Sequence, residues 1–425
     1  MFNIPKFKER SFLVYGLGLS GCSVVKFFKK NKIKNFKVWD DKQKKIFRKL
    51  RTSNLSKSLN QVDYIVLTPG ISLIKNKRLK AFKKKIITDI DLFYLMKNKS
   101  KSIVVTGTNG KSTTCKLIAH LLKKNKLKFS LGGNIGTPIL DIKNIKKKYV
   151  IIEASSFQLS HSKFIHPDYA FFLNFTNDHM DWHGGMKNYL NSKLKIFNLQ
   201  TKNNFAIINN NLKKSFLKKK FLSKLIIPNY KNYKRIKLKI KNDYLTSNLN
   251  DENMSFVYTF SKLINIEEKS FIKSMKSFKG LSHRFEIFLS RKKITFINDS
   301  KATSFIATKS ALRSLNNVYW ILGGLPKKGD KINLSKIKKK IIKCYLIGKN
   351  INFFKKQLKN NLDYIITKNL KNSLIQIFKD IRIKKNVHKN ILLSPAAASF
   401  DQYANFEKRG NEFKKLCLNY ARKLI

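Results

Sequence analysis

Short apolar runs alternate with longer amphipathic stretches along almost the whole chain. The runs have the length of strands rather than helices, and glycines, acids or turn residues usually follow them. The predicted strands are 12–15, 35–39, 62–67, 102–105, 149–152, 169–173, 295–298, 318–322 and 390–393. Because helix-length segments separate them, the pattern predicts an α/β fold with mainly parallel sheets.

The chain is long enough for more than one domain. Its 425 residues, of which 42% are hydrophobic, suggest two to four domains with separate cores. From the distribution of strands and motifs we predict three, at residues 1–96, 97–280 and 281–425. The second begins near Lys97 and the third near Leu281, whereas the Lys-rich stretch 211–245 gives no clear pattern.

The composition is extremely basic. With 90 Lys and Arg against 24 Asp and Glu, the formal net charge is +66, which at first favours nucleic-acid binding. The cations are mostly lysines spread from end to end, however, rather than an Arg-containing stripe with interleaved aromatics. Many Asn, Ile and Phe residues accompany them, as an A+T-rich genome would produce. We therefore expect no specific nucleic-acid partner.

Cysteine usage and hydropathy bear on the compartment. The four cysteines, Cys22, Cys115, Cys344 and Cys417, lie far apart without a CxxC pair, as expected of reduced thiols in a cytoplasm. No apolar run reaches the ~18 residues of a membrane span. The apolar stretch 11–25 after a basic start also fits a signal peptide, but its glycines favour a strand, a turn and a helix. We predict a cytoplasmic monomer.

One stretch has the pattern of a phosphate-binding loop. Residues 106–114 read Thr-Gly-Thr-Asn-Gly-Lys-Ser-Thr-Thr, between a predicted strand and a helical stretch from Thr114 to Leu122. Such a turn directs backbone N–H groups at phosphates, with Lys111 as a point charge and the Ser112 hydroxyl as a Mg²⁺ ligand. The general pattern has glycine six residues before the lysine, where this chain has Val105. The stretch predicts a nucleoside triphosphate site, the alternative being a plain strand–helix connection.

The first segment carries a second glycine-rich turn. Gly16-x-Gly18-x-x-Gly21 follows the first strand, and Asp40-Asp41 ends the next one. This layout is typical of a dinucleotide-type βαβ unit, in which the acid binds a ribose hydroxyl. Glycines that only pack a helix on a strand are the alternative. Thr68-Pro69-Gly70, after the third strand, predicts a turn at the ligand-binding edge of a parallel sheet.

Polar residues also follow the strands of the second segment. Glu153 ends the strand 149–152 and offers a carboxylate to Mg²⁺ beside the phosphate loop, unless it caps a helix. The stretch 174–183 contains His179 and His183 together with two aspartates. In an ATP site, His179 fits a metal ligand and Asp181 a network member; a zinc site and plain surface polarity are the alternatives.

The third segment combines cations with an acid. Arg284 and Lys301 suit phosphates and developing oxyanions, and Asp299 suits a nucleotide ribose. The loop 323–329 adds Lys327 and Lys328 for an anionic substrate. In so basic a chain any single lysine is more often a solvated surface residue.

These stretches together resemble the Mur ligases of peptidoglycan synthesis, and the resemblance runs from residue 11 to about residue 413. The matching stretches are GLGLSG (16–21), TPGI (68–71), TDIDLF (88–93), TGTNGKST (106–113), GGNIG (132–136), EASSFQL (153–159), NFTNDHMDWH (174–183), HRFE (283–286), NDSKAT (298–303), GGLPKKGD (323–330) and SPAAASFDQYANFEKRGNEF (394–413). The last is the most telling for the D-glutamate-adding members. GTNGKST alone would leave folylpolyglutamate synthases and the other Mur ligases open.

The resemblance implies a fold and a reaction. The three domains would be a Rossmann-like UDP-binding domain, a P-loop ATPase domain and a mobile, Rossmann-like C-terminal domain that binds the amino acid. The reaction would be the ATP-dependent addition of D-glutamate to UDP-N-acetylmuramoyl-L-alanine through an acyl phosphate, with ADP and phosphate as the other products.

The resemblance also implies roles for individual residues. ATP would bind at Gly107, Thr108, Asn109, Gly110, Lys111, Ser112 and Thr113, with Arg284 and Asp299 as further nucleotide contacts. Catalytic and Mg²⁺-binding roles would fall to Lys111, Ser112, Glu153, His179 and Lys193, the last matching a lysine that is carbamylated in the family. The UDP-sugar would contact Gly18, Leu19, Ser20, Asp40, Thr68 and Asn134. D-glutamate would bind at Lys301, Thr303, Lys327, Ser399 and Phe406.

Some positions depart from the family pattern. A His-Asn-x-x-Asn stretch usually lies near the adenine, and here Leu249 takes the place of its histidine. The match of Lys193 needs a shift of one residue relative to His179, and Leu325-Pro326 replace an acidic or small residue. A nucleic-acid-stimulated P-loop ATPase and a decayed ligase kept as a scaffold are the alternative functions, although the motifs for phosphate, metal and substrate are intact.

Overall fold

The computed structural model describes residues 7–96, 100–134, 136–142, 148–246, 250–327, 329–335, 337–359, 361–383 and 387–424. Within them the chain forms two compact units, Met1–Asn242 with Asp251–Phe278, and Asp243–Asn250 with Lys279–Ile425. The boundaries of the three predicted domains stay a prediction. Lys97, Ile135, Leu249 and Lys328, which belong to predicted boundaries or motifs, lie outside the described residues.

The strands belong to three sheets. Their bounds are β1 (Phe12–Tyr15), β2 (Phe36–Trp39), β3 (Tyr64–Leu67), β4 (Ile86–Ile87), β5 (Lys101–Thr106), β6 (Phe129–Gly133), β7 (Tyr149–Glu153), β8 (Tyr169–Phe172), β9 (Phe205–Ile208), β10 (Lys224–Ile226), β11 (Glu286–Arg291), β12 (Ile294–Asn298), β13 (Val318–Gly323), β14 (Ile341–Ile347), β15 (Tyr364–Lys368) and β16 (Lys389–Leu393).

Helices connect most of these strands. The α-helices are Leu19–Lys30, Leu55–Gln61, Lys77–Lys80, Asp89–Leu95, Lys111–Lys124, Ser156–His161, Met180–His183, Met186–Leu194, Lys213–Lys218, Tyr230–Lys237, Asp243–Thr246, Asp251–Leu263, Glu268–Lys276, Phe305–Ser314, Ile351–Leu358, Leu370–Ile383 and Phe406–Leu424. Short 3₁₀ turns occur at Arg48–Leu50, Lys83–Lys85, Ile139–Asp141, Lys195–Phe197, Asn210–Leu212, Leu238–Ile240 and Lys338–Lys340. None of the described helices is both long and apolar enough to cross a membrane.

The first sheet has the order β2-β1-β3-β4 and is parallel throughout. Because successive side chains of a strand point to opposite faces of the sheet, β1 contributes to a hydrophobic core on each face. Phe12 and Val14 pack with the helix Leu19–Lys30 on one face, whereas Leu13 and Tyr15 pack with Leu55 and Leu59 on the other. The strand predicted at 62–67 begins at Tyr64, since the backbone N–H of Val62 still bonds to the preceding helix.

The second sheet, in the order β10-β9-β8-β5-β7-β6, is also parallel. Its central strand β5 lies between β8 and β7, and all three are buried. The carboxyl ends of neighbouring parallel strands meet at one edge of a sheet. This order therefore brings the loops after Thr106, Glu153 and Phe172 to the same place.

The third sheet, in the order β11-β12-β16-β13-β14-β15, forms the core of the second unit. Strand β11 is antiparallel to β12, and the other pairs are parallel. The predicted α/β class with mainly parallel sheets is confirmed. Each predicted strand is present, and its ends differ from the predicted ones by at most two residues. The Lys-rich stretch 211–245, which shows no clear pattern in the sequence, contains β10 and several helices.

A buried acid ties the helix Asp89–Leu95 to the second sheet's connections. Asp91 Oδ1 accepts hydrogen bonds from Ser162 Oγ at 2.7 Å and from the N–H groups of Lys163 and Phe164 at 2.8 and 2.7 Å. Burial raises the pKa of Asp91, although these donors oppose the shift. The TDIDLF stretch is therefore explained by packing within the first unit.

Candidate functional site

The predicted phosphate loop connects β5 to the helix Lys111–Lys124. Gly107 and Gly110 have φ values of +155° and +79°, which favour glycine. A Cβ on Gly110 would lie 2.2 Å from Asn253 Oδ1, so this turn also needs a residue without a side chain. Lys111 Nζ donates to the carbonyls of Gly107 and Thr108 at 2.9 and 2.8 Å. The loop carbonyls thus hold the lysine of the same loop at the N-terminus of a helix. This geometry is typical of an anion-binding site.

The residue that follows β8 and Leu173 holds this loop in place. Asn174 accepts from Thr108 N–H with its carbonyl at 3.0 Å and from Asn109 N–H with its side-chain oxygen at 2.8 Å. The hydroxyls of Thr108 and Tyr189 lie 3.2 Å apart and share a hydrogen bond. The first residue of the NFTNDHMDWH stretch therefore shapes the phosphate loop, a role that the sequence did not assign.

An acid holds Asn174 in turn. Asn174 Nδ2 donates to Glu252 Oε2 at 2.9 Å, and Asn209 Nδ2 donates to Glu252 Oε1 at 2.6 Å. Since a carboxylate only accepts, Glu252 fixes the amide of Asn174 with its nitrogen toward the acid and its oxygen toward the loop. The neighbouring Asn253 accepts from Thr114 Oγ1 at 3.2 Å. The sequence singled out this stretch only for its missing histidine, so Glu252 was missed.

We predict that Glu252→Ala raises the KM for ATP about tenfold, because Asn174 loses the charged partner that orients it. Glu267→Ala, which removes an exposed acid from the same unit, is the control for the change in net charge. Steady-state kinetics at saturating co-substrates would measure the effect. A KM for ATP that matches the control would contradict the proposed role of Glu252.

Glu153 ends β7 at the same edge of the sheet and is buried. Its Oε1 accepts from Asn134 Nδ2 at 3.0 Å, whereas none of the described residues donates a hydrogen bond to the buried Oε2. A buried, unpartnered carboxylate oxygen fits a cation ligand. The helix-capping alternative is wrong, because Ser155 caps the helix Ser156–His161. Asn134, predicted to contact the UDP-sugar, is held against Glu153.

Lys193 has the most unusual environment of the predicted site residues. It is 1% exposed, and its Nζ donates to the Gly107 carbonyl at 2.8 Å and lies 4.9 Å from the centre of the Tyr189 ring. Burial, and next the charge of Lys111, lower the pKa of Lys193 well below its usual value, against a smaller opposing effect of Asp178. The environment therefore favours the neutral form of the amine, which is the form that can react with an electrophile.

The two predicted histidines have different environments. His179 lies 3.3 Å from Asp178 through Nε2, with its ring 4.7 Å from that of Phe157. His183 is buried 3.0 Å from Ser156 Oγ, and burial lowers its pKa to about 4. His183 is thus a neutral core residue.

The zinc alternative finds no support in the described residues, where no group of three or more His, Cys, Asp and Glu side chains could hold a metal ion. The expectation that Asp181 belongs to a network in the ATP site stays a prediction. Its side chain is 77% exposed and lies 3.6 Å from Lys75 Nζ.

The glycine-rich turn of the first sheet is held by Asp40. Its carboxylate accepts from the N–H of Leu17 at 2.6 Å and from those of Lys42 and Gln43 at 2.8 Å. Partial burial would raise the pKa of Asp40, but these donors lower it overall. In the structure, therefore, the acid predicted to bind a ribose hydroxyl closes the loop on its own backbone.

The glycines of this turn differ in their surroundings. A Cβ on Gly16 would lie 2.1 Å from Thr68 Oγ1, and one on Gly21 would lie 1.9 Å from the Gly16 carbonyl. These two glycines are explained by close packing, as the alternative interpretation proposed. Gly18 has open space around it, Leu19 is 84% exposed and Ser20 is half-buried. The open side of the turn is therefore formed by residues 18–20.

In the second unit, Asp299 follows β12 and is buried. Its oxygens accept from Phe285 N–H at 3.1 Å and from Ser394 Oγ at 2.7 Å. Burial raises the pKa of Asp299 to about 7, although these donors and the charge of Arg284 oppose the shift. Asp299 therefore joins the loops that follow β12 and β16.

We predict that Asp299 makes stability depend on pH. Its pKa is about 7 when folded against about 4 when unfolded, so the stability it contributes is full below pH 4 and is lost as the pH rises through 7. Asp299→Asn cannot ionise. Calorimetry would give the Tm of both proteins. The Tm of the variant minus that of the wild type should therefore increase by several degrees between pH 4 and pH 8. A difference that stays constant with pH would contradict this assignment.

The predicted amino-acid pocket lies on loops of the same unit. Lys301 Nζ lies 4.7 Å from the centre of the Phe406 ring, and Ser399 is buried. Thr303 is half-buried and Lys327 is exposed. The structure brings Lys301 together with Phe406.

Known proteins are similar to this chain over most of its length. Residues 105–272 match the family model described as Mur ligase middle domain, and residues 10–88 match the one described as Mur ligase MurD-like, N-terminal domain. A protein of Rickettsia prowazekii (strain Madrid E) named UDP-N-acetylmuramoylalanine--D-glutamate ligase is 36% identical, over 96% of this chain and 98% of its own. A protein of the same name from Buchnera aphidicola subsp. Schizaphis graminum (strain Sg) is 36% identical, over 96% and 97%.

Solved structures share the fold at low sequence identity. The MurF ligase from Thermotoga maritima in complex with ADP superposes with a TM-score of 0.57 at 14% identity, over 99% of this chain and 100% of that one. The bifunctional folylpolyglutamate synthase/dihydrofolate synthase from Yersinia pestis superposes with a TM-score of 0.53 at 12% identity, over 80% and 93%. At such identities the likeness concerns the fold alone.

Proposed function

Because this chain belongs to the Mur ligase family of ATP-dependent ligases, we propose that it joins D-glutamate to UDP-N-acetylmuramoyl-L-alanine. One observation supports this choice of substrates within the family. Relatives named for this reaction are 36% identical to the chain over nearly the full length of both proteins. The resulting step belongs to peptidoglycan synthesis, in the cytoplasm, and we expect the enzyme to act as a monomer.

The proposed reaction has two steps. The terminal carboxylate of the UDP-sugar attacks the γ-phosphorus of ATP, forming an acyl phosphate and releasing ADP. The amine of D-glutamate then attacks the acyl carbon, loses a proton and displaces phosphate, leaving an amide. Since two anions must meet in the first step, Lys111 and the N–H groups of the phosphate loop, residues 107–113, stabilise the charge that develops.

The residues present fit a Mg²⁺ ion beside this loop. Ser112, Glu153 and His179 would hold it, because Glu153 has a buried oxygen without a hydrogen-bond donor. Bound Mg²⁺ would supply positive charge that offsets the repulsion between the phosphates and the attacking carboxylate.

Lys193 fits the proposed carbamylation. Its low pKa favours the neutral Nζ, which would attack CO₂, and loss of a proton would leave a negatively charged carbamate. The amine already donates a hydrogen bond to the carbonyl of Gly107, which belongs to the phosphate loop. A carbamate here would complete the oxygen ligands for Mg²⁺.

Each substrate is assigned mainly to one part of the chain. We propose that the UDP-sugar binds the first domain, where Leu19 is exposed, and that ATP binds the second. The D-glutamate pocket would lie in the third domain, with Lys301 and Lys327 as the cations for its carboxylates. The full sets are Gly18, Leu19, Ser20, Asp40, Thr68 and Asn134 for the UDP-sugar, Arg284 and Asp299 for further nucleotide contacts, and Lys301, Thr303, Lys327, Ser399 and Phe406 for D-glutamate.

Analysis of the product tests the choice of amino acid. The enzyme would be incubated with ATP, Mg²⁺ and UDP-N-acetylmuramoyl-L-alanine, together with D-glutamate, L-glutamate, L-lysine or D-alanine, and the UDP-sugars separated by mass. We expect only the D-glutamate adduct to accumulate. Formation of a different adduct would overturn the proposed substrate while leaving the ligase chemistry in place.

A further inference from the structure

Arg409 is a buried cation in the second unit to which the sequence assigned no role. It is 1% exposed and lies one turn after Phe406 in the helix Phe406–Leu424. Burial lowers its pKa to about 10, so the guanidinium is charged at neutral pH. A charge is costly to bury unless it is well hydrogen-bonded, and its partners are therefore informative.

The guanidinium joins two loops that follow neighbouring strands. Arg409 Nε donates to Ser300 Oγ at 3.0 Å, and Nη2 donates to the carbonyls of Ser300 and Ala397 at 2.8 and 2.9 Å. Ser300 Oγ in turn donates to the Phe406 carbonyl at 2.9 Å. Ser300 follows β12, and Ala397 follows β16. One side chain thus connects the two loops with the start of its own helix.

A third loop packs against the same guanidinium. Gly324 has a φ of +131°, and a Cβ there would lie 3.3 Å from Arg409 Nη1 and 2.4 Å from the Ala398 carbonyl. The next residue, Leu325, exchanges two backbone hydrogen bonds of 2.9 Å with Ala398. The loop that carries Lys327 therefore begins against Arg409.

We propose that Arg409 is a positioning residue for the pocket of the amino-acid substrate, a dicarboxylate. This inference rests on the proposed function, which places Lys301, Lys327, Ser399 and Phe406 in that pocket. Lys301, Lys327 and Ser399 each lie within three residues of a group that Arg409 contacts, and Phe406 begins the helix that carries Arg409. The planar, five-donor fork of arginine suits carbonyls on two loops, whereas the ammonium of lysine keeps the charge but has no such fork.

Kinetics of three variants test the proposal. We expect Arg409→Lys to raise the KM for D-glutamate at least tenfold and to change the KM for ATP and for the UDP-sugar less than twofold. Ser300→Ala, which removes a hydroxyl that accepts from Arg409 and donates to Phe406, should give a smaller increase of the same kind. In the variant that carries both substitutions, the KM for D-glutamate should rise by less than the product of the two single increases, because Arg409 and Ser300 act through one hydrogen-bond network. Equal changes in all three KM values would overturn the proposal.

Lys389→Met is the matched control. Lys389 is also a buried cation of the second unit, with its Nζ 3.2 Å from the Ile381 carbonyl, but it lies at the start of β16 rather than beyond its end. We expect this variant to lose stability without a selective change in the KM for D-glutamate. A selective change as large as that of Arg409→Lys would mean that any buried cation has this effect, and would overturn the proposal.

Hydrogen exchange tests the same inference without relying on activity. Relative to the wild type, Arg409→Lys should exchange faster at the amides of residues 300–303 and 397–406, whereas Lys389→Met should not. Unchanged exchange in both loops would overturn the role of Arg409 even if turnover requires D-glutamate. If the wild type instead uses another amino acid, the proposed function fails and the kinetic test is repeated with that substrate. If Arg409→Lys does not fold, Ser300→Ala provides the same comparisons.

Discussion

Replacing Lys111 with alanine is expected to lower kcat for phosphate release about 10³-fold or more. Its Nζ donates hydrogen bonds to the carbonyls of Gly107 and Thr108, in the turn that leads from β5 into the helix Lys111–Lys124. There it places a positive charge beside the backbone groups that would hold the phosphates. Removal of one preorganised charge of this kind costs about 10²- to 10³-fold or more in other enzymes, because no water can replace it in a closed site.

The control for this prediction is Lys116→Ala. Lys116 lies on the same helix but is exposed, so its loss changes the net charge equally without touching the loop. We expect the control to keep kcat within twofold of the wild type. If Lys111→Ala, correctly folded, retained a tenth or more of the wild-type kcat, phosphate would have to be stabilised elsewhere.

Replacing Lys193 with alanine is expected to lower kcat by a similar factor, about 10³-fold. The variant would lose the buried amine that contacts the phosphate loop, and with it the carbamate that we propose as an anionic ligand. Isotopically labelled bicarbonate followed by carbon NMR should show a carbamate signal in the wild type that is missing from Lys193→Ala.

Lys195→Ala is the control in this case. Lys195 lies two residues further along, and its Nζ donates to the Ser160 carbonyl at 2.5 Å. Burial lowers its pKa to about 8, so it too has a perturbed amine, but its partner belongs to the helix Ser156–His161 and not to the phosphate loop. A carbamate signal that persisted in Lys193→Ala and vanished in Lys195→Ala would move the modification to the other lysine.

The sequence predicted the features that depend on neighbouring residues. The strand 102–105, the turn with Gly107 and Gly110 and the helical stretch 114–122 are specified by residues close together in the chain. In the structure the strand ends at Thr106 and the helix begins three residues earlier than predicted, at Lys111. The position of Glu153 at the same sheet edge followed from its place at the end of a strand, because parallel strands share that edge.

The residues that were missed act across long separations in sequence. Glu252 reaches Asn174 over 78 residues, and Arg409 reaches Ser300 over 109. Such contacts depend on how the helices pack, which a local pattern does not specify. For Asp40 the sequence predicted the position of the acid at the end of a strand but not its hydrogen bonds. The three backbone N–H groups that donate to it are brought there by the path of the turn, which the sequence pattern does not specify.

The most direct test of the proposed ligase is phosphate release with ATP, Mg²⁺ and UDP-N-acetylmuramoyl-L-alanine, with and without D-glutamate. The account predicts rapid release only when D-glutamate is present, and release slowed about 10³-fold or more with Lys111→Ala. Equal release with and without D-glutamate, or no release from folded wild-type protein, would contradict it.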